Sequence, residues 1–199
     1  MRKLNRMAIK EWAVVVRALA EGSQIVMLRK GGIAEQDGEF RLAAREFFLY
    51  PTWEHQQEAW LQPGYAAALR SIEPPPAGEL PMQHYAVVTD IWPAPELFRM
   101  KQLTNEFVWN EAFLEKRYDY RPELPLSVLI VRVYRLPTPL RLDALDRYAG
   151  CRSWVELEED LSTEGLMPVL EDAAFEQRRE SLREQLTSTS QARPVQAMR

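Results

Sequence analysis

The stretch Ser127-Val128-Leu129-Ile130-Val131-Arg132-Val133-Tyr134 most constrains what this chain can fold into. Its apolar, β-branched residues run continuously until Arg132 interrupts them. That pattern predicts a strand over Leu126–Leu136, buried on both faces. At 199 residues the chain is long enough for one full-sized domain with a sizeable core. Six Trp, seven Tyr and seven Phe supply bulky side chains for that core and argue against global disorder. Fourteen prolines against eight glycines predict stiff rather than flexible connections.

Around this strand the other elements fall into a mixed order. Ile9, Trp12, Ala13, Val16 and Ala20 recur at spacings of three and four, which predicts a helix over Ala8–Ala20 stopped by Gly22. A strand follows over Gln24–Arg29. Asp37-Gly38 has the chemistry of a hairpin turn, with Glu39-Phe40-Arg41-Leu42 leaving it. Phe47–Tyr50 reads as a strand ended by Pro51, and Thr52 as the cap of a helix through Glu58. The proline-rich segment 71–81 reads as a stiff linker between two halves of the fold. A strand at Tyr85–Trp92 and short helices at Glu96–Leu103 and Asn110–Lys116 come next. A loop from Tyr148 enters a short strand ending at Leu157, and a charged C-terminal helix spans Pro168–Leu186. The expectation is a single α+β domain over residues 1–187, a helix followed by an antiparallel-rich sheet, with a frayed tail at 188–199.

Several function classes are narrowed by composition. The net charge of -4 neither demands nor excludes a nucleic-acid partner, because a local basic patch can act against the total. Cys151 is the only cysteine, so no intramolecular disulfide and no multi-cysteine metal site can form. No apolar run approaches the length of a membrane helix, and Lys10, Glu11 and Arg17 spoil the apolar region a signal peptide needs. The expected location is cytoplasmic, with no membrane partner.

Three constellations could carry function. Leu28-Arg29-Lys30-Gly31-Gly32-Ile33 delivers two cations into a diglycine, where backbone and charge together suit a phosphate. Arg2, Lys3, Arg6, Lys10 and Arg17 make the first third locally basic, which fits a nucleic acid or a phosphorylated ligand. His55, just after a strand end, is a candidate general base or metal ligand, with Glu54 and Glu58 nearby. Trp109, Arg117, Tyr118, Tyr120 and Arg121 interleave aromatic and basic side chains that can stack on bases. Blander roles are open to each: a tight turn with solvated cations, a structural histidine, a covered core edge. Cys151 reads as a packing residue, and Glu156, Glu158, Glu159 and Asp160 as a solvated face.

The segments Ile9–Val15, Ala18–Gly22, Leu28–Ile33 and Phe48–Gln56, with Arg132–Leu136 and Gly150–Val155, resemble a bacterial family of uncharacterised proteins known as domain of unknown function eighteen-hundred-and-two. That resemblance spans roughly Ile9–Leu157 and implies no activity; it places the 71–81 segment inside one domain. Two fold analogies are looser. The element order is similar to that of restriction-endonuclease-like nucleases, which would put Glu11 on an opening helix and Glu11, Glu39, Glu46 or His55 around a divalent ion such as Mg²⁺. Arg45-Glu46-Phe47-Phe48 lacks the lysine such a centre needs two residues after its glutamate. Ala20–Arg29 is similar to the helix–glycine–strand passage of small RNA-binding β-barrels of the pseudouridine-synthase-associated type. Three readings follow: a nucleic-acid- or phosphate-binding module using Arg29, Lys30, Gly31, Gly32 and Arg117; a metal-dependent phosphodiesterase using Glu11, Glu46 and His55; and a protein–protein interaction module.

Overall fold

A computed structural model describes residues 1–30, 34–36, 39–150 and 153–187, with the backbone alone over 34–36 and 39–41. Gly31, Gly32, Ile33, the Asp37-Gly38 turn, the Glu39 side chain, Cys151 and the 188–199 tail lie outside the described residues. Among the described residues nine strands and five α-helices follow one another as β1 (Leu4–Trp12), α1 (Ala13–Ala20), β2 (Val26–Lys30), β3 (Ala34–Gln36), β4 (Glu39–Arg41), β5 (Glu46–Thr52), α2 (Pro63–Leu69), β6 (Glu79–Pro93), α3 (Leu97–Gln102), α4 (Glu111–Asp119), β7 (Leu126–Asp143), β8 (Trp154–Ser162), β9 (Met167–Pro168) and α5 (Asp172–Thr187). The class is α+β, as expected. Among the described residues no helix is long and apolar enough to cross a membrane.

The main sheet has the order β2-β7-β6-β5-β1-β8, with β9 on β7, and β3 pairs with β4 separately. All its pairings are antiparallel except β1 with β5. As its continuous apolar run requires, β7 lies between two strands, and Val128 through Val131 are buried. Alternation along β5 sends Phe47 and Leu49 into one core and Phe48 into a second on the other face of the sheet. Ile9 joins the first core and Ala8 the second.

The chain therefore opens on a strand, not on the helix expected over Ala8–Ala20. Residues 8–12 pair with β5, and Ala8 and Ile9 are held on the other side too, Ala8 facing Phe48 on β5 and Val155 on β8. Such pairing overrides a local helical spacing. The helix begins only at Ala13, and six of its eight residues are buried. Two further expectations change for the same reason. β5 continues past Pro51 because Glu11 and Trp12 pair with Pro51 and Thr52, so Thr52 caps nothing; its hydroxyl donates to the Glu11 carbonyl at 3.3 Å. The helix expected through residues 53–58 is a turn, with His55 in the left-handed region at φ 61°. The proline-rich segment ends inside β6, whose Glu79–Met82 pair with Leu140–Asp143.

The sheet is rolled. In a flat sheet, the four strand spacings from β2 to β1 would separate them by about 19 Å. Instead Arg29 on β2 and Glu11 on β1 form an ion pair at 2.9 Å, and Arg29 Nη2 also donates to the Lys10 carbonyl at 3.3 Å. The curl brings one end of β1, β2 and β5 together.

Candidate functional site

A cleft of about 360 Å³ opens where these ends meet. Because β1 and β5 are parallel, both bring their C-terminal residues here, Glu11 and Trp12 beside Thr52. The turn after β5 contributes Glu54 and His55, and α4 contributes Phe113 and Arg117.

One wall is aromatic. Trp12 stacks on Trp60 at 5.9 Å between ring centroids, and Trp109 stacks on Phe113 at 3.9 Å. Trp12 meets Trp109 edge-on at 5.0 Å. Lys116 Nζ lies 4.1 Å from the Trp60 ring centroid. The wall is stiffened from behind. Asn110 caps α4 by accepting from the Phe113 amide at 3.0 Å, and its Nδ2 donates to the Ala59 and Leu61 carbonyls. The Leu61–Trp109 bridge joins the same two segments.

The other wall is cationic. Arg29 and Glu11 are 13% and 9% exposed at their side chains, so this ion pair is buried. Glu11 also accepts from the Trp12 amide at 2.9 Å. Arg117 lines the same cleft without an ion-pair partner among the described residues, and Glu54 lines it from the turn after β5. Burial pushes Arg117 below its ordinary value, the Arg29 charge pushes the same way, and Glu11 opposes both. The Nε atoms of Arg29 and Arg117 are buried without a hydrogen-bond partner. Lys10 lines the cleft as well, its Nζ donating to the Gly150 carbonyl at 3.0 Å. Three partly buried cations, Lys10, Arg29 and Arg117, against two carboxylates, Glu11 and Glu54, leave the cleft net positive beside aromatic faces, which is the chemistry of an anion joined to a flat ring.

The residues singled out from sequence separate cleanly. Glu11, Arg29, His55, Trp109 and Arg117 come together in the cleft. Glu46 does not. It sits at the far end of β5, where it accepts from Tyr85 Oη at 2.9 Å and from the Arg2 amide at 2.8 Å. The parallel register sets Glu46 about five residues back from Glu11 along neighbouring strands, roughly 16 Å away. The two carboxylates therefore cannot share one ion. Among the described residues no three of His, Cys, Asp and Glu are grouped to hold a metal. Lys30 is turned away from the cleft mouth, its Nζ donating to the Arg117 and Tyr118 carbonyls at 2.9 and 2.7 Å. Tyr118 Oη donates to the Pro95 carbonyl, and burial pushes it up to about 12. Glu156, Glu158, Glu159 and Asp160 are exposed on β8, the solvated face expected of them. Trp12, Trp60 and Phe113 were not legible as site residues, since only the roll of the sheet and the packing of α4 bring them together.

A second cavity of about 410 Å³ lies between α1, β5 and the start of β6, lined by apolar groups such as Val16, Leu49 and Ile72. His84 faces it. Burial, then the charge of Arg135, hold its imidazole down at about 4. Arg17 and Glu21 line the same cavity and pair with each other at 2.8 Å. As pH falls from 6.5 towards 4, the unfolded chain takes up a proton that the folded chain refuses, so stability drops across that window. Urea denaturation at pH 7 and pH 5 should show His84→Gln losing less stability than the unaltered protein; an equal loss would assign the acid limb to other groups.

Solved structures of similar outline include ASCH from Zymomonas mobilis, at 14% identity over 88% of this chain and 94% of that one, with a TM-score of 0.45. A serine-to-alanine mutant of ZmASCH from the same organism matches at 11% identity, over 92% and 99% of the two chains, with a TM-score of 0.45. No curated protein matches the sequence significantly. The sequence profile of the family described as Domain of unknown function (DUF1802) matches residues 8–181, and the chain belongs to that family.

Proposed function

We propose that this protein binds nucleic acid through the cleft, seating a phosphate at Arg29 and Arg117 and a base against the tryptophan wall. One observation carries the reading: Glu11 pairs with Arg29, and the half-buried Arg117, unpaired among the described residues, lines the same cleft immediately beside four aromatic rings. A phosphate would complete the charge balance that Glu11 leaves half done, and it would accept from guanidinium N–H groups in bidentate geometry. Stacking on an aromatic face is tolerant of sequence, so the site favours nucleic acid in general over one base. His55, at the rim on a left-handed backbone, adds a donor and an acceptor towards the ligand.

The test is fluorescence anisotropy with a labelled oligonucleotide across a salt series. Affinity should fall steeply with salt, and Arg117→Ala should weaken binding and reduce the salt slope by about one. Arg117 is the cleaner choice because Glu11 keeps Arg29 in that variant. Lys30→Ala is a poor probe, since that ammonium holds the end of α4. Salt-independent binding, or none, would overturn the reading.

A further inference from the structure

We propose that the bound strand leaves the cleft over Tyr120, so that the ligand is single-stranded and at least two nucleotides long. This rests on the cleft reading above and specifies its ligand.

Tyr120 immediately follows α4 and is 50% exposed, which leaves its ring open to solvent. Its amide donates to the Lys116 carbonyl at 3.1 Å. Arg121 then takes a left-handed conformation at φ 47°, and the Leu124 amide closes the turn on the Arg121 carbonyl at 2.9 Å. Lys30 clamps the Arg117 and Tyr118 carbonyls from below. The ring is thus presented by a braced turn.

Two cations attend it. Arg121 Cζ lies 5.4 Å from the ring centroid and Arg117 Cζ lies 6.0 Å from it. Arg117 is also a cleft residue, so one guanidinium joins the buried anion site to the exposed ring. Among the described residues neither arginine is in an ion pair. An exposed aromatic face flanked by cations and continuous with a phosphate site suits a neighbouring base and its backbone. A duplex keeps its base faces stacked inside and would offer this ring nothing beyond phosphate charge.

Calorimetric titration can compare a uridine 5′-monophosphate, the trinucleotides of uridine and of deoxyuridine, and a short duplex. The expected result is a trinucleotide binding about tenfold or more tighter than the monophosphate. Tyr120→Ala should abolish that advantage, its trinucleotide affinity falling to its own monophosphate affinity, while Tyr120→Phe retains it. Either sugar giving this pattern supports the proposal. Equal affinities for monophosphate and trinucleotide, an unaltered trinucleotide affinity in Tyr120→Ala, or duplex binding as tight as single-strand binding would each overturn it while leaving the cleft reading intact. Binding of none of the ligands would remove the cleft reading, and this proposal with it.

Discussion

Glu11→Ala is expected to destabilise the protein by about 3–5 kcal/mol, the usual consequence of removing one partner from a buried ion pair. In this variant Arg29 and Arg117 would face each other across the cleft with no counter-charge between them. For a chain of this size that loss lowers the melting temperature by about ten degrees. Phosphate should reverse part of it. Millimolar inorganic phosphate, compared with chloride at equal ionic strength, should raise the melting temperature of Glu11→Ala more than that of the unaltered protein, because the anion replaces the missing carboxylate. The double variant Glu11→Ala/Arg29→Ala should be less destabilised than the sum of the two single variants. A Glu11→Ala protein of unchanged stability would mean that the pair is effectively solvated and the cleft carries no desolvated charge.

Gly22→Ala should destabilise by about 2–4 kcal/mol, and two effects contribute. Gly22 ends α1 at φ 69°, where a side chain is strained by about 1–2 kcal/mol. A Cβ there would also lie 2.6 Å from Leu170 Cδ2 and 2.9 Å from its Cγ, so Leu170 must shift, at about 1–3 kcal/mol. Gly78 separates the two. It has φ 84°, but its Cβ would meet nothing within 4 Å, so Gly78→Ala reports the backbone part alone. Denaturant midpoints should therefore fall further for Gly22→Ala than for Gly78→Ala. Equal losses would remove the steric component. The packing at stake also anchors α5, since Arg178 donates to the Gly22 and Ser23 carbonyls at 2.7 and 2.6 Å.

What sequence made legible was what short-range physics decides. The buried strand around Val128–Val131 was plain because an unbroken apolar run has few other fates. α3, α4 and the exposed acidic stretch of β8 were likewise placed from a few neighbouring residues each. β1 is hidden in the sequence because Ile9, Trp12, Ala13 and Val16 satisfy a helical spacing equally well, and the deciding partners, Phe48 and Val155, lie 40 and about 150 residues away. The site was half legible. Arg29, His55 and Arg117 stood out by type and neighbourhood, but nothing local tied Arg29 to Glu11, nor Trp12 to Trp60. Those contacts exist only after the sheet has rolled. Glu46 shows the converse. It looked equivalent to Glu11 as a candidate, yet the parallel register sends the two to opposite ends of the sheet.

The place of β1 between β5 and β8 has a bearing on how the chain is made. A ribosome releases the outer neighbour, β8, only about 140 residues after this strand. At ordinary elongation rates that interval is roughly ten to thirty seconds. Throughout it, residues 4–12 must remain uncommitted or hold onto β5 with one flank bare. An unpaired flank of this kind invites pairing with another nascent chain. The helical spacing within Ala8–Ala20 would let these residues satisfy their hydrogen-bonding groups locally during that wait, before Trp154–Ser162 is available to pair with them.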